Sequence, residues 1–151
     1  MKSNRGFTLI ELLVVISVIA ILVGIVIPRF KGMQDTANKS KAKAELKTLQ
    51  TALESWHMNQ DPNAFPPSTT TLCDTYLTGA RPLIVGTSLY DPFRESGTEY
   101  SYILSTSGTY YVVFSYGPDG QASIVDIDDE GLLDGEAGDD IYVTNGSGLF
   151  Q

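Results

Sequence analysis

At 151 residues, 42% of them hydrophobic and 19% charged, the chain holds enough apolar material for one compact domain with an appendage and is too short for a multidomain machine. Ten Lys and Arg against 18 Asp and Glu leave a formal charge of -8, which argues against a nucleic-acid binder or an acidic partner, because either needs a cationic surface to neutralise it. Cys73 is the only cysteine, so an intramolecular disulfide and a zinc cluster of cysteines are both excluded.

Charge is distributed unevenly. Lys2 and Arg5 precede an apolar stretch over residues 7–27, broken only by Thr8, Glu11, Ser17 and Gly24, which is long enough to cross a bilayer as a helix. Arg29, Lys31, Lys39, Lys41, Lys43 and Lys47 follow it, so both flanks are basic and the charge rule leaves the orientation open. A secretory signal peptide is the first alternative, but no small-x-small cleavage site follows the apolar core. A plain membrane anchor is the second, and it leaves Glu11 unexplained. A carboxylate at mid-bilayer costs about 2.5 to 3.5 kcal/mol, less near the interface, and an isolated anchor gains nothing from it.

The run Gly6-Phe7-Thr8-Leu9-Ile10-Glu11-Leu12-Leu13-Val14-Val15-Ile16 resembles the N-terminal signature of type IV pilins and type II secretion pseudopilins. The resemblance implies a leader over residues 1–6, cut after Gly6 by a prepilin peptidase that also methylates the new amino group of Phe7. It further implies a transmembrane and filament-core helix over 7–28, and an assembly role for Glu11. Physical reasoning is compatible with that role. The Phe7 amine of one subunit can neutralise the Glu11 carboxylate of a neighbour inside a bundle that excludes water.

Further along, Ala42, Leu46, Leu49, Leu53 and Trp56 step by four, three, four and three, one apolar stripe of an amphipathic helix over 29–59. Asn59, Gln60, Asp61 and Pro62 end it, so the pattern predicts one helix over about 7–58, spanning roughly 75 Å at 1.5 Å per residue. Gly24 and Pro28 are the expected places for a kink or local melting. The stripe lasts under three heptads and is read as packing on the chain's own sheet in preference to a coiled-coil seam. His57 has no second ligand or nucleophile at a recognisable spacing and reads as a surface residue at the helix end.

Residues 60–151 make up the rest of a globular head. Over 60–99, Pro62, Pro66, Pro67, Pro82 and Pro92 with Gly79, Gly86 and Gly97 predict an irregular connection. Leu72, Tyr76, Leu77, Leu83, Ile84 and Val85 are expected to fold back on the head, with room for a short helix. Cys73 reads as a small apolar residue rather than a reactive thiol, since no base lies near it in sequence. Residues 100–104 and 110–116, rich in aromatic and β-branched side chains, predict a hairpin, with further strands over 122–127 and 141–144. The fold class is therefore α+β: a long N-terminal helix on a small antiparallel sheet, followed by an acidic loop and a loose tail over 146–151.

No Lys or Arg follows Arg94, whereas nine carboxylates fall between Asp119 and Asp140, interleaved with Gly120, Gly131, Gly135 and Gly138. Such a loop repels itself unless a hard cation gathers it, and calcium takes six to eight oxygens in flexible geometry. The alternative is a solvated acidic surface. Asp126, Asp128, Glu130, Gly131 and Asp134 stand at positions one, three, five, six and nine of a calcium-loop spacing, but Ala137 takes the place of the bidentate Glu.

Other segments resemble the major pseudopilin (G-type) family of type II secretion systems: Phe65-Pro66-Pro67, Asp91-Pro92-Phe93 with Tyr100-Ser101-Tyr102, and above all Phe114-Ser115-Tyr116-Gly117-Pro118-Asp119-Gly120-Gln121. That resemblance implies a structural calcium ion held by the Tyr116 carbonyl, Asp119 and Asp140, with Asp126 and Asp128 as candidates inside an insertion longer than the family's usual loop. It implies a non-enzymatic subunit of a homo-oligomeric filament, anchored in the inner membrane with its head in the periplasm. Its implied partners are the prepilin peptidase, the inner-membrane assembly platform and minor pseudopilins, and its task is protein export. Two other readings stay open on sequence: a type IV pilus major pilin for adhesion, motility or DNA uptake, and a monomeric membrane-anchored calcium-binding module.

Overall fold

The helix α1 (Leu9–Met58) begins with a reciprocal capping box. Glu11 Oε2 accepts the Thr8 backbone N–H at 2.9 Å, while the Glu11 N–H reaches back to Thr8 Oγ1 at 3.3 Å. The computed structural model of the chain describes residues 7–136 and 138–151, with backbone alone at 27–29. The leader over 1–6 and its Gly6 lie outside the described residues, as does Ala137. Helical backbone continues through Gly24 and Pro28, so the local melting expected there does not occur. At its far end the Asn59 side chain donates to the Ser55 carbonyl at 2.6 Å, taking one of the acceptors a helix end leaves open.

Two compact units divide the chain, Met1–Ala37 and Asn38–Gln151. Within the first, every described large apolar side chain from Phe7 to Val26 is exposed, from 46% at Val23 to 82% at Phe7 and Leu9. A soluble protein has no reason to leave so continuous an apolar surface open. The helix is long and apolar enough to cross a membrane.

The second unit is α+β. Strands β1 (Ser101–Leu104), β2 (Tyr111–Ser115) and β5 (Ile141–Thr144) form an antiparallel sheet in the order β1-β2-β5, with Tyr102 opposite Val113 and Phe114 opposite Tyr142. Central β2 is buried along its whole length, and its period of two explains why. Tyr111 and Val113 share a core with Tyr102 and with Ala42, Leu46, Leu49 and Leu53 of α1, so the stripe packs on the chain's own sheet as expected. Val112 and Phe114, on the other face, pack with Ile124, Ile127 and Leu133. Trp56 extends the stripe by meeting Tyr76 edge-on at 5.6 Å.

That second layer departs from the sequence reading. β3 (Ile124–Ile127) pairs antiparallel with β4 (Leu133–Gly135) in a separate two-stranded sheet, so the acidic stretch is a folded hairpin over much of its length. The tail is also tied down. Phe150 bridges to Leu133, the Leu133 N–H donates to the Leu149 carbonyl at 2.8 Å, and Gly146 backs onto Gly131 so closely that a Cβ there would lie 2.4 Å from the Gly131 carbonyl oxygen. Apolar Ile127 and Leu133 anchor this hairpin, and a count of its charges hides them.

In the connection over 60–99 a single π-helical turn, Cys73–Leu77, buries Cys73 and Leu77. Buried Glu99 holds it, accepting the Cys73 N–H at 2.7 Å and the Asp74 N–H at 3.0 Å. Leu72 and Val85 fold inward as expected, whereas Leu83 stays exposed. His57 is half-buried, its ring stacked on Phe65 at 4.3 Å, and so is less of a surface residue than its position at the helix end suggests.

Candidate cation site and assembly segment

Two loops meet beside the second layer. The turn after β2 needs Gly117 at φ +68°, because a Cβ there would lie 2.3 Å from the Asp139 carbonyl oxygen. This contact brings the Tyr116–Asp119 turn against Asp139 and Asp140. The Asp119 N–H donates to Asp139 Oδ2 at 3.1 Å, and Asp119 Oδ1 accepts the Gln121 N–H at 2.8 Å. Asp140 Oδ2 accepts two backbone donors, Ser123 at 2.8 Å and Ile124 at 2.9 Å. Its other oxygen, Oδ1, is buried and accepts no hydrogen bond. Burial pushes the Asp140 carboxyl above its ordinary range; the Ile124 and Ser123 donors pull it down, and the charges of Asp139 and Asp119 raise it again.

Asp91 supports this arrangement. Its buried carboxylate accepts the Ser115 hydroxyl at 2.7 Å and the backbone N–H groups of Phe93 and Tyr116, each at 3.0 Å. The backbone leading to the Tyr116 carbonyl is thereby fixed, and Arg94 covers the Tyr116 ring at 4.2 Å. In the sequence Asp91 stands out only as part of the run Asp91-Pro92-Phe93, with no role attached to its carboxylate. An acid followed by proline, with β1 and β2 lying between it and the Tyr116 N–H, shows nothing in one dimension of that backbone donor.

The sequence-predicted ligands therefore separate into two groups. Asp119 and Asp140 come together, joined by Asp139, which was not singled out. Asp126 and Asp128 are engaged with the hairpin itself. Asp126 Oδ1 accepts the Ile127 N–H at 2.8 Å, and Asp128 Oδ1 accepts Glu130 at 3.0 Å and Leu132 at 2.8 Å to close the β3–β4 turn. The calcium-loop spacing is thus carried by a β-hairpin, without the flanking helices of that motif. Among the described residues no three His, Cys, Asp or Glu side chains stand ready as a metal cluster. What the Asp119–Asp140 loops offer a hard cation is a pair of carboxylates, backbone carbonyls and the partnerless Asp140 oxygen.

At the other end of the chain, Phe7 is exposed and Glu11 is paired with Thr8, whose hydroxyl donates to Glu11 Oε2 at 2.7 Å. This segment lies at the head of the apolar helix. Comparison with known proteins reports on both regions. The family described as the prokaryotic N-terminal methylation motif matches residues 1–27, and that described as type II secretion system protein G matches residues 29–130.

The chain belongs to the type II secretion system protein G family.

Relatives agree. The type II secretion system core protein G of Klebsiella pneumoniae is 29% identical over 145 residues, 93% of this chain and 94% of its own length. Its counterpart from Dickeya chrysanthemi is 30% identical over 139 residues, covering 85% of each chain. The type IV major pilin protein PilA of Myxococcus xanthus is 48% identical, but over 58 residues only, 38% of this chain and 26% of that pilin. No solved structure matches the chain significantly. A protein G chain is a structural pseudopilin, and the methylation motif brings N-terminal processing and filament assembly with it.

Proposed function

We propose that this protein is the structural subunit of a type II secretion pseudopilus, assembling through its N-terminal helix to drive protein export across the outer membrane. The observation that carries this reading is the protein G match over residues 29–130 directly behind a methylation motif over 1–27. In this reading the prepilin peptidase cuts between Gly6 and Phe7 and methylates the Phe7 amine. The mature subunit waits in the inner membrane as a single-pass protein with its head in the periplasm. An inner-membrane assembly platform and minor pseudopilins then draw it into a homo-oligomeric filament. The chain performs no catalysis and binds no nucleic acid.

Glu11 acts at the joint. Before assembly its carboxylate is held by Thr8 at the helix start. In the filament it exchanges that partner for the Phe7 amine of a neighbour, a charge pair strong enough in an apolar bundle to set axial register. Calcium has a structural part. The Tyr116 carbonyl, Asp119 and Asp140 would hold it, with Asp139 adjoining, and the ion would neutralise a group of carboxylates that otherwise repel one another. The buried, partnerless Oδ1 of Asp140 supports this assignment.

A type IV pilus major pilin is the second reading, favoured by the PilA identity. That identity is confined to the segment both classes share, whereas similarity to protein G extends through the head. The deciding experiment supplies the full-length gene to a strain lacking its own major pseudopilin. Restored export of the secreted enzymes supports the pseudopilus reading. No restoration, with long surface fibres on cells that express the chain naturally, overturns it for the pilus.

A further inference from the structure

Among the described residues, two charged surfaces of the Asn38–Gln151 unit have no oppositely charged partner in the subunit; Lys47 donates only to neutral Gln50, at 2.8 Å, and Asp126 accepts only the Ile127 N–H. Lys39, Lys43 and Lys47 step by four along α1 and are exposed, on a row that flanks the buried stripe of Ala42, Leu46, Leu49 and Leu53. Like charges at this spacing are neighbours on a helix and destabilise it. The second surface is the β3–β4 hairpin. Asp126 and Asp134 are directly opposed across the two strands, and both are exposed. Like charges in that relation destabilise a sheet. Among the described residues the one salt bridge is Lys41 to Glu45 at 3.8 Å, so neither surface is neutralised by the other within a subunit.

Each surface supplies what the other lacks. We propose that the Lys39–Lys43–Lys47 ladder of one subunit docks the β3–β4 hairpin of a second copy, with Asp126 and Asp134 as the paired acids. Spacing fits as well as sign: successive lysines rise about 6 Å along the helix, and opposed residues of an antiparallel pair stand about 4.5 to 5.5 Å apart, so long lysine side chains span the difference. Two different patches meeting between identical chains make a heterologous contact, which propagates as an open helical array instead of closing as a dimer. That is the symmetry a filament requires. The proposal rests on the pseudopilus reading and adds a contact between heads to the helix contacts at Glu11.

The test uses the full-length chain, assembled in cells and recovered as sedimenting filaments. Lys43→Glu with Lys47→Glu, and separately Asp126→Lys with Asp134→Lys, should each lower the sedimenting fraction about tenfold, since like charges then face each other. Combining the four changes in one chain should restore most of it. Raising the salt should weaken the wild-type contact as the charges are screened. Protection of buried Cys73 from thiol reagents reports that each variant is folded. Should a variant fail that control, Lys43→Cys and Asp126→Cys placed together in one chain should give a disulfide ladder between subunits that neither change gives alone. Wild-type filaments indifferent to every charge reversal, or the absence of that ladder, overturn the head contact and leave the pseudopilus reading standing. A wild-type chain that forms no filament overturns both.

Discussion

Asp140 and Ile124 are joined by a hydrogen bond of 2.9 Å from the Ile124 backbone to one carboxylate oxygen, while the other oxygen is buried without a partner. A carboxylate so held faces the start of β3 on one side and an unmet electrostatic demand on the other. Burial and the neighbouring charges of Asp139 and Asp119 disfavour its ionised form. Its titration should therefore depend on the cation.

Calcium should stabilise the protein. Heating the full-length chain in detergent micelles with calcium, with chelator and with magnesium should show a rise in melting temperature for calcium alone. A ligand at about 100 times its Kd adds about 2.7 kcal/mol. An equal shift with magnesium, or none, removes the ion from the proposal.

Asp140→Asn should separate two effects of opposite sign. Its carbonyl oxygen can still accept Ser123 and Ile124, while its amide takes the place of Oδ1 without charge. In chelator the wild-type carboxyl, raised above its unfolded value, contributes stability that is fully present below the unfolded pKa and lost as pH rises through the folded one. At neutral pH without calcium the variant should therefore melt no lower than wild type. With calcium it should melt lower, having lost a ligand. Melting curves between pH 3 and 7, with and without the ion, check both halves.

Glu99→Ala should destabilise the head by about 2 to 3 kcal/mol, because it leaves the Cys73 and Asp74 N–H groups without their charged acceptor. The Cys73 thiol is pushed up to about 12, chiefly by burial. It should label slowly in wild type and many times faster in the variant, as the turn that hides it opens.

Leu46→Ala should cost about 2 to 5 kcal/mol, the usual range for a fully buried leucine, since Leu46 lies in the core shared with Tyr111 and Val113. Chemical denaturation of the full chain measures it. A cost below 1 kcal/mol would mean that the helix stripe does not pack on the sheet.

Glu11→Ala should leave the melting of the head unchanged and reduce filament yield. Glu11 is exposed and hydrogen-bonds Thr8 at the start of the helix, so loss of assembly together with loss of head stability would contradict its role.

Much of this was legible in one dimension because its causes are local. A period of 3.6 in Ala42, Leu46, Leu49 and Leu53 and a period of two in Tyr111 and Val113 follow from backbone geometry, and both reached the core. The run from Gly6 to Ile16 needed no folding to be read as a processing and assembly signature, and the methylation-motif match covers it. Glu99 and Asp91 were not legible. Each meets backbone donors more than 20 residues away, apart from Phe93, and a carboxylate leaves no periodic trace of such partners.

The acidic region marks the boundary most clearly. Sequence by itself determined that nine acids would gather without a base after Arg94, and that such a gathering needs a cation or solvent. Only tertiary structure decided which acids meet. Packing of Ile127 and Leu133 on Phe114 pulled Asp126 and Asp128 into a hairpin, while the close approach of Asp139 to Gly117 brought Asp119 and Asp140 together. Hydrophobic burial, which is non-directional and long-range in sequence, chose the partners, and charge had to follow.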